Sequence, residues 1–533
     1  MVIKLVFIFK LNIYYYIIGN IILYIYNMSK SHNMSKSHNN EAKKNTLVVN
    51  KYSKKMFEFY KPILKLLEKE SKIAHYISLK ENSIMRNFLT YIFLQFSIYN
   101  KIINTLNIAN SRTHNIDVTN KINTILKHHL SNSKYTDSNV ITYISNNINN
   151  CKMISYENII HNKKFVLEFI IYDKINIKNL DNIVKNMLVF LQILIKISKN
   201  LNNEINNCSK HGISIIFFLT PFVKKLTLTK VNNQDINKEI LGPNNANSGF
   251  TYKSCLSSGS IFIYRKQDFF KVFVHESIHG YGIDKALHFN FNKNENYNKF
   301  LKLFAFDHKN NSDVGINEAV TEFWTSLLYL CINSYQESKN LSKFIYNFER
   351  LYKLELVHAL YQISKVLHYN NLTYNSFMNN SNSSYRENTH IFSYFIVKTL
   401  MLINYEHVLN SQLFDLNSIS KLDTIESNLP IDIKLKSDNA SINKLFANLY
   451  DYAKDPLFIK IMNIVEAEHM KHYTKYVTKY DDKYAYIKTH KVKKNLKVTT
   501  RKFLTQKNKT GNTINMENFM LSNLKMMVYD YNI

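Results

Sequence analysis

The stretch Lys271-Val-Phe-Val-His275-Glu276-Ser-Ile-His279-Gly280 contains the pattern His-Glu-x-x-His. Apolar residues surround the polar ones and a glycine closes the run, which together predict a helix. Residues four apart lie on one face of a helix, so both imidazoles can reach one metal ion. The intervening glutamate stands beside that ion and is able to take a proton from a water there.

A metal site of this kind needs a third protein ligand, and the best candidate lies downstream. The segment Asn317-Glu318-Ala-Val-Thr321-Glu322 places two carboxylates four residues apart on a second predicted helix, amid apolar residues. Acidic groups on the core side of a helix are costly unless a cation compensates them. We expect Glu318 to bind the metal and Glu322 to orient one of the ligand imidazoles.

These two motifs resemble the gluzincin branch of the zincin metallopeptidases, over about residues 255–330. The resemblance implies that His275, His279 and Glu318 bind zinc, that Glu276 is the general base and that Glu322 is a supporting carboxylate. Glu318 follows His279 by 39 positions, a longer gap than in the shortest members of the family, which an inserted loop would account for. The implied activity is hydrolysis of a peptide or protein substrate.

The metzincin branch of the zincins offers an alternative ligand pattern, His-x-x-Gly-x-x-His. Gly282 matches it, but Lys285 occupies the next ligand position, and a protonated lysine cannot bind zinc. Asp284 is one residue early and His288 three residues late. The gluzincin arrangement is therefore favoured.

A zincin also needs a donor opposite the metal to stabilise the developing oxyanion. His390 and Tyr394, four apart at the start of a predicted helix, are the candidates, with Tyr281 as a weaker one. Asn247 and Ser248 are candidate substrate contacts in the loop before the metal helix.

The predicted fold class is α+β and predominantly helical, with a small mixed sheet over the zinc-binding helix and a helical C-terminal subdomain. Strands are expected at 212–219 and 260–264, with another beginning at 250–253, and the resemblance implies that an edge of this sheet receives a peptide. Asp268 is the expected N-cap of the metal helix. The expected regions are a hydrophobic segment (1–27), a disordered linker (28–50), a helical N-terminal region (51–205), the zincin core (206–335), the helical C-terminal subdomain (336–470) and a basic tail (471–533).

The chain of 533 residues carries a formal net charge of +29. Its richness in Lys, Asn, Ile, Tyr and Phe is typical of an AT-rich genome, such as that of a large DNA virus or a protist. The sharpest basic stretch, 471–509, has 13 Lys or Arg against two Asp and is a candidate contact for a polyanion, either nucleic acid or an anionic membrane. The reading of this stretch as a solvated tail stays open.

Four scattered cysteines favour a reducing, intracellular compartment, which for a viral protein is the host cytoplasm or the virion. Residues 11–26 are almost wholly apolar and approach the length of a membrane span. They are interpreted either as a membrane anchor or as the product of a mis-called start, because Met28 and Met34 both open the same polar repeat.

The alternative function is that of a non-catalytic structural or nucleic-acid-binding basic protein with a relict zincin fold. The presence of Glu276, which would bind no metal, argues against that interpretation.

Overall fold

A computed structural model describes most of the chain from residue 49 onward. The described residues are 49–80, 83–115, 118–198, 212–227, 239–252, 259–286, 294–304, 306, 315–379, 385–414, 434–435, 439–492 and 516–533, with the backbone alone at 285–286, 412–414, 434–435, 439, 479–492 and 516–517. The predicted hydrophobic segment and almost all of the predicted linker lie outside these ranges. Within them, Val48–Ile533 is a single compact unit.

The described elements are mostly helices. These are α1 (Lys51–Glu68), α2 (Ser71–Tyr76), α3 (Ile84–Asn104), α4 (Thr119–Ile125), α5 (Ser138–Asn146), α6 (Ile177–Ser198), α7 (Pro243–Ala246), α8 (Phe269–Gly280), α9 (Ile283–Ala286), α10 (Glu295–Leu301), α11 (Ile316–Glu337), α12 (Leu341–Tyr369), α13 (Tyr374–Asn379), α14 (Lys398–Ile403), α15 (Tyr405–Gln412), α16 (Asn439–Ala453), α17 (Pro456–Val492) and α18 (Met516–Ser522). Short π-helical segments span Leu126–Leu130 and Phe392–Val397, and a 3-10 turn spans Ile148–Asn150. The strands are β1 (Arg112–Asn115), β2 (Lys152–Ile160), β3 (Lys163–Ile171), β4 (Ser214–Phe218), β5 (Gly249–Tyr252), β6 (Ser260–Ile263), β7 (Leu413–Phe414) and β8 (Lys434–Leu435).

The main sheet has six strands in the order β1-β2-β3-β4-β6-β5. It is mixed, because β3, β4 and β6 run parallel while β1, β2 and β5 pair antiparallel with their neighbours. The α+β, predominantly helical fold expected from the sequence is confirmed.

Helices cover both faces of this sheet. On one face, α4 and α5 pack against Ile170, Ile216 and Phe262. On the other face, the rings of Phe169 and Phe217 stack with their centroids 4.4 Å apart. Phe217 also contacts Phe269 and Phe273, which lie one turn apart on α8. Because side chains alternate between the faces of a strand, the continuous apolar runs in β3 and β4 fill both layers. The sheet thereby forms a rigid base beneath α8.

The prediction of a helical region from 51 to 205 is wrong for its central part, which supplies β1, β2 and β3. The last two form a hairpin whose connecting residues, His161 and Asn162, have φ values of 49° and 60°. Such positive values are typical of a two-residue turn that matches the twist of the strands. Neither residue is glycine, so the usual hairpin signal is missing from the sequence.

The prediction of a basic tail from 471 to 533 is also wrong at its end. Helix α17 reaches Val492, and residues 516–533 return to the core, where Met527 and Val528 are fully buried and Tyr531 bridges to Val49. The last residues of the chain include a short apolar run. The prediction grouped this run with the longer basic segment that precedes it.

No helix in the described ranges is long and apolar enough to cross a bilayer. The predicted anchor at 11–26 lies outside those ranges.

Candidate metal centre

Two helices carry the predicted ligand residues. Helix α8 is buried along almost its whole length between the sheet and α11, and Glu318 lies in the first turn of α11. Gly315 begins α11 in the left-handed conformation, with a φ of 55°. This backbone turn brings the start of α11 alongside the end of α8, so the two motifs of the sequence meet in space.

The side chains of His275, His279 and Glu318 converge on one point. The two Nε2 atoms are 3.0 Å apart, and Glu318 Oε2 lies 3.2 Å from Nε2 of His275 and 3.6 Å from Nε2 of His279. Ligand atoms about 2.0–2.1 Å from a tetrahedral zinc ion are separated by about 3.3 Å. The three separations bracket that value.

Each imidazole has a carboxylate on its other nitrogen. Nδ1 of His275 lies 2.9 Å from Glu322 Oε1, and Nδ1 of His279 lies 3.0 Å from Asp284 Oδ2. A hydrogen bond at Nδ1 orients the ring of His279 and leaves Nε2 as its metal-binding atom. The contact of His275 Nδ1 with Glu322 is an ion-pair contact that lacks the geometry of a hydrogen bond. The two Nε2 atoms nevertheless face each other at the same point.

The charges of the cluster suit a cation. Burial lowers the pKa of His279, but the charges of Glu318 and Asp284 outweigh burial and raise that pKa well above 6.5. Burial raises the pKa of Glu318, but the neighbouring imidazoles hold it well below 4.5. Oε2 of Glu318 is buried and makes no hydrogen bond of good geometry within the described part of the chain. The donor set of two imidazoles and one carboxylate fits a divalent ion such as zinc.

Glu276 is held apart from the ligand set. It is buried, and the hydroxyl of Thr251 donates to its Oε2 at 2.8 Å and to its backbone oxygen at 3.0 Å. Burial raises the pKa of Glu276 above 4.5 despite the nearby imidazoles. Since Thr251 belongs to β5, the last strand of the sheet, the carboxylate is anchored on the side of that edge.

The two oxyanion candidates lie at different distances from the ligands. Tyr394 stands in the π-helical segment, and its ring centroid is 6.2 Å from that of His275. Burial, the surrounding carboxylates and a hydrogen bond to Glu318 raise the pKa of Tyr394 well above 10. His390 lies behind it, with ring centroids 6.1 Å apart, and packs so closely on Gly315 that a Cβ there would be 2.1 Å from His390 Nδ1. Contacts with ligand residues are thus recorded for Tyr394, whereas the contacts recorded for His390 are with Tyr394 and Gly315.

The remaining candidates, Asn247, Ser248 and Tyr281, are all buried. The side chain of Asn247 accepts a hydrogen bond from Thr389, and the backbone oxygen of Ser248 accepts one from Tyr264. Tyr281 is fully buried, and its hydroxyl has no hydrogen-bond partner within the described ranges. No contact in those ranges joins these three residues to the imidazole pair. His288, from the alternative ligand pattern, lies outside them.

The sequence analysis did not predict the contacts of three residues in the site: Thr251, Lys271 and Asp284. Lys271 donates to Glu322 one turn before His275. Asp284 was considered only as a displaced metal ligand, although its position five residues after His279 suits a contact with that ring. No sequence pattern indicated Thr251, because it reaches Glu276 only once β5 has paired with β6.

The basic stretch 471–509 is described in part. Lys471 is exposed on α17, but side chains beyond residue 478 lie outside the described residues. Cys151 and Cys331 are buried with free thiols, and the other two cysteines lie outside the described ranges.

Comparisons of the chain with protein-family models, with curated proteins and with solved structures found no match. The functional interpretation therefore depends on the geometry of the site itself.

Proposed function

We propose that this chain is a zinc-dependent metallopeptidase that hydrolyses peptide bonds. The observation that carries the proposal is the meeting of two imidazole Nε2 atoms and Glu318 Oε2 within 3.6 Å of one another, on two helices that are distant in sequence. His275, His279 and Glu318 would hold the ion, and Glu322 and Asp284 would orient the rings. When bound, zinc would supply an activated water and would polarise the carbonyl under attack.

Three residues of the chain would take part in the reaction around such an ion: Glu276, Thr251 and Tyr394. Glu276 accepts the proton of the attacking water and passes it to the amine nitrogen that leaves. Thr251 holds the carboxylate of Glu276 in place during both transfers. The hydroxyl of Tyr394 is the donor proposed for the oxyanion, since its ring lies 6.2 Å from that of His275 and it interacts with the carboxylate of Glu318.

Strand β5 supports a peptide as the substrate. It ends the sheet in the described ranges, and its neighbour β6 pairs with only one of its sides. The outer side of a strand at the end of a sheet can take up an extended backbone through main-chain hydrogen bonds. Thr251 would then link this strand to the general base, so substrate and proton acceptor would be held by one element.

The test compares the full-length chain with Glu276→Gln. We expect both proteins to hold about one zinc per chain, because Glu276 is not a ligand, and the variant to hydrolyse quenched fluorescent peptides ~10²–10⁴-fold more slowly. Zinc is measured by plasma mass spectrometry. Glu295→Gln is the matched control, since Glu295 is exposed and its ion-pair partner within the described ranges is Lys299.

Two outcomes would count against the proposal. Equal hydrolysis by wild type and Glu276→Gln removes Glu276 from the mechanism and leaves a non-catalytic metal protein. Absence of zinc from the wild-type protein at saturating metal removes the metal centre itself.

A further inference from the structure

A buried lysine stands behind the metal centre. Lys271 lies in the first turn of α8, one turn before His275, and its side chain is 2% exposed. Placing an ammonium group in the core is costly unless an anion pairs with it closely. In the described part of the chain, its ion-pair partner is Glu322, whose side chain is equally buried.

Lysine and imidazole share a single oxygen atom. Lys271 Nζ donates to Glu322 Oε1, and the same Oε1 lies 2.9 Å from Nδ1 of His275. The second oxygen, Oε2, makes no hydrogen bond within the described ranges. Lys271 is therefore the cation in direct contact with the carboxylate oxygen that meets the ring, while the charge of Lys398 acts on Glu322 from farther away.

The other imidazole provides an internal comparison. Asp284, the partner of His279, has no lysine of this kind in the described ranges, and its side chain is 13% exposed against 2% for Glu322. The Oδ1 atom of Asp284 is nevertheless buried and has no hydrogen-bond partner within the described ranges. The two carboxylates therefore differ in the lysine, which pairs with Glu322 alone of the two.

We propose that Lys271 is a positioning residue of the metal centre, which fixes His275 through the carboxylate of Glu322. The inference rests on the proposed zinc site and adds a residue that the ligand motif does not contain. Within the described ranges the side chain of Lys271 contacts Glu322, so the proposed action on His275 passes through that carboxylate.

The experiment measures zinc affinity of the full-length chain by competition with a chromophoric chelator. We expect Lys271→Met to bind zinc about 10–100-fold more weakly than wild type, the usual effect of losing an outer partner of a ligand. Lys365→Met is the matched control. Lys365 is just as buried, but it donates to the backbone oxygens of Met520 and Asn523, so its loss should lower the melting temperature and leave zinc affinity unchanged.

A double-mutant cycle separates positioning from folding. If Lys271 acts only through Glu322, then Lys271→Met with Glu322→Gln should bind zinc within about twofold of Glu322→Gln alone. This comparison remains available if Lys271→Met by itself does not fold, because the double variant buries no charge at either position. The absorption spectrum of the cobalt-substituted proteins should change in Lys271→Met and remain that of wild type in Lys365→Met.

The outcomes are distinct. Zinc affinity of Lys271→Met equal to that of wild type, with weaker binding by Glu322→Gln, overturns the role of Lys271 and leaves the metal centre in place. A double variant much weaker than Glu322→Gln shows that Lys271 acts by another route, which also overturns it. Failure of the wild-type protein to bind zinc removes both proposals.

Discussion

At the scale of single residues, four carboxylates crowd around the imidazole pair, and their surroundings give them different chemistry. Glu318 faces both rings, which hold its pKa well below 4.5. Glu276 is more deeply buried than Glu318, its direct partner is a hydroxyl, and burial raises its pKa. Asp284 is hydrogen-bonded to a ring nitrogen of His279, and Glu322 lies 2.9 Å from one of His275. When the surroundings of two acids move their pKa values in opposite directions, the two acids suit different roles. The opposite shifts of Glu318 and Glu276 accord with the proposed roles of metal ligand and proton acceptor.

The hydroxyl of Thr251 should matter for turnover and not for metal binding. Thr251→Val keeps the shape of the side chain and removes the donor to Glu276, so the carboxylate loses one orienting hydrogen bond. Such a bond contributes about 0.5–1.5 kcal/mol, which corresponds to a fall in kcat of about two- to thirteenfold. Steady-state hydrolysis measures this, with Thr251→Ser expected to stay near wild type. An unchanged kcat in Thr251→Val would mean that Glu276 is positioned by other contacts.

The sequence predicted the residues of the site that belong to a compact motif. His275, His279 and Glu276 follow one another on a single helix, so their spacing alone places them together. Thr251 reaches Glu276 only because β5 pairs with β6, and a pairing register is a property of the folded sheet. Contacts of that kind leave no local signal in a single sequence.

At the scale of elements, the segment before α14 holds the oxyanion candidate in place through a buried carboxylate. Glu387 Oε2 accepts hydrogen bonds from the hydroxyl of Tyr385 at 2.6 Å and from the backbone N–H of Phe392 at 2.7 Å. Phe392 begins the π-helical segment that carries Tyr394. A wide helical turn of this type often occurs at functional sites, where it shifts a side chain out of the regular helical pattern.

Glu387 should make the protein less stable as the pH rises. Burial raises the pKa of Glu387 from 4.5 to about 8. Between these values the unfolded chain has lost its proton and the folded protein retains it, so stability falls with rising pH from about 4.5 to 8. Glu387→Gln keeps the acceptor oxygen and cannot ionise, so it should gain stability relative to wild type at pH 8 and little at pH 4.5.

Urea unfolding at the two pH values measures this difference. Glu157→Gln is a suitable control, because Glu157 is half exposed and pairs with an exposed lysine. A difference between wild type and Glu387→Gln that does not grow with pH would contradict the expected titration.

Helices and strands were predicted best where one pattern of apolar residues continues without interruption. A helix was expected from Leu341 to Leu367 and spans Leu341–Tyr369, and the strand expected at 212–219 spans Ser214–Phe218. The hairpin of β2 and β3 was missed because its turn, His161-Asn162, is a rare choice for two positive φ values. The spacing of apolar residues along the chain predicts a single helix or strand. A turn of unusual sequence, such as His161-Asn162, becomes evident only in the folded hairpin.

At the scale of the whole molecule, the end of the chain supports the start of the metal helix. Asp268 occupies the expected N-cap position of α8, but its φ is 59° and its side chain makes no capping bond. The carboxylate instead accepts hydrogen bonds from Lys525 Nζ and from the backbone N–H of Met526. Lys525 also donates to Asp530 at 3.1 Å. These partners lie more than 250 positions from Asp268, a separation over which a sequence pattern carries no information.

The ion pairs of Lys525 should therefore be required for the stability of the whole unit. Lys525→Met leaves Asp268 and Asp530 buried without their shared cation, a change that costs about 3–5 kcal/mol when one partner of a buried pair is lost. Because Asp268 directly precedes α8, zinc binding should fail at the temperature at which the core unfolds. Lys299→Met is the control, since its pair with Glu295 is exposed and contributes little to stability. Equilibrium urea unfolding compares the two variants. A loss below about 1 kcal/mol in Lys525→Met would mean that other contacts of the C-terminal segment suffice to hold it in place.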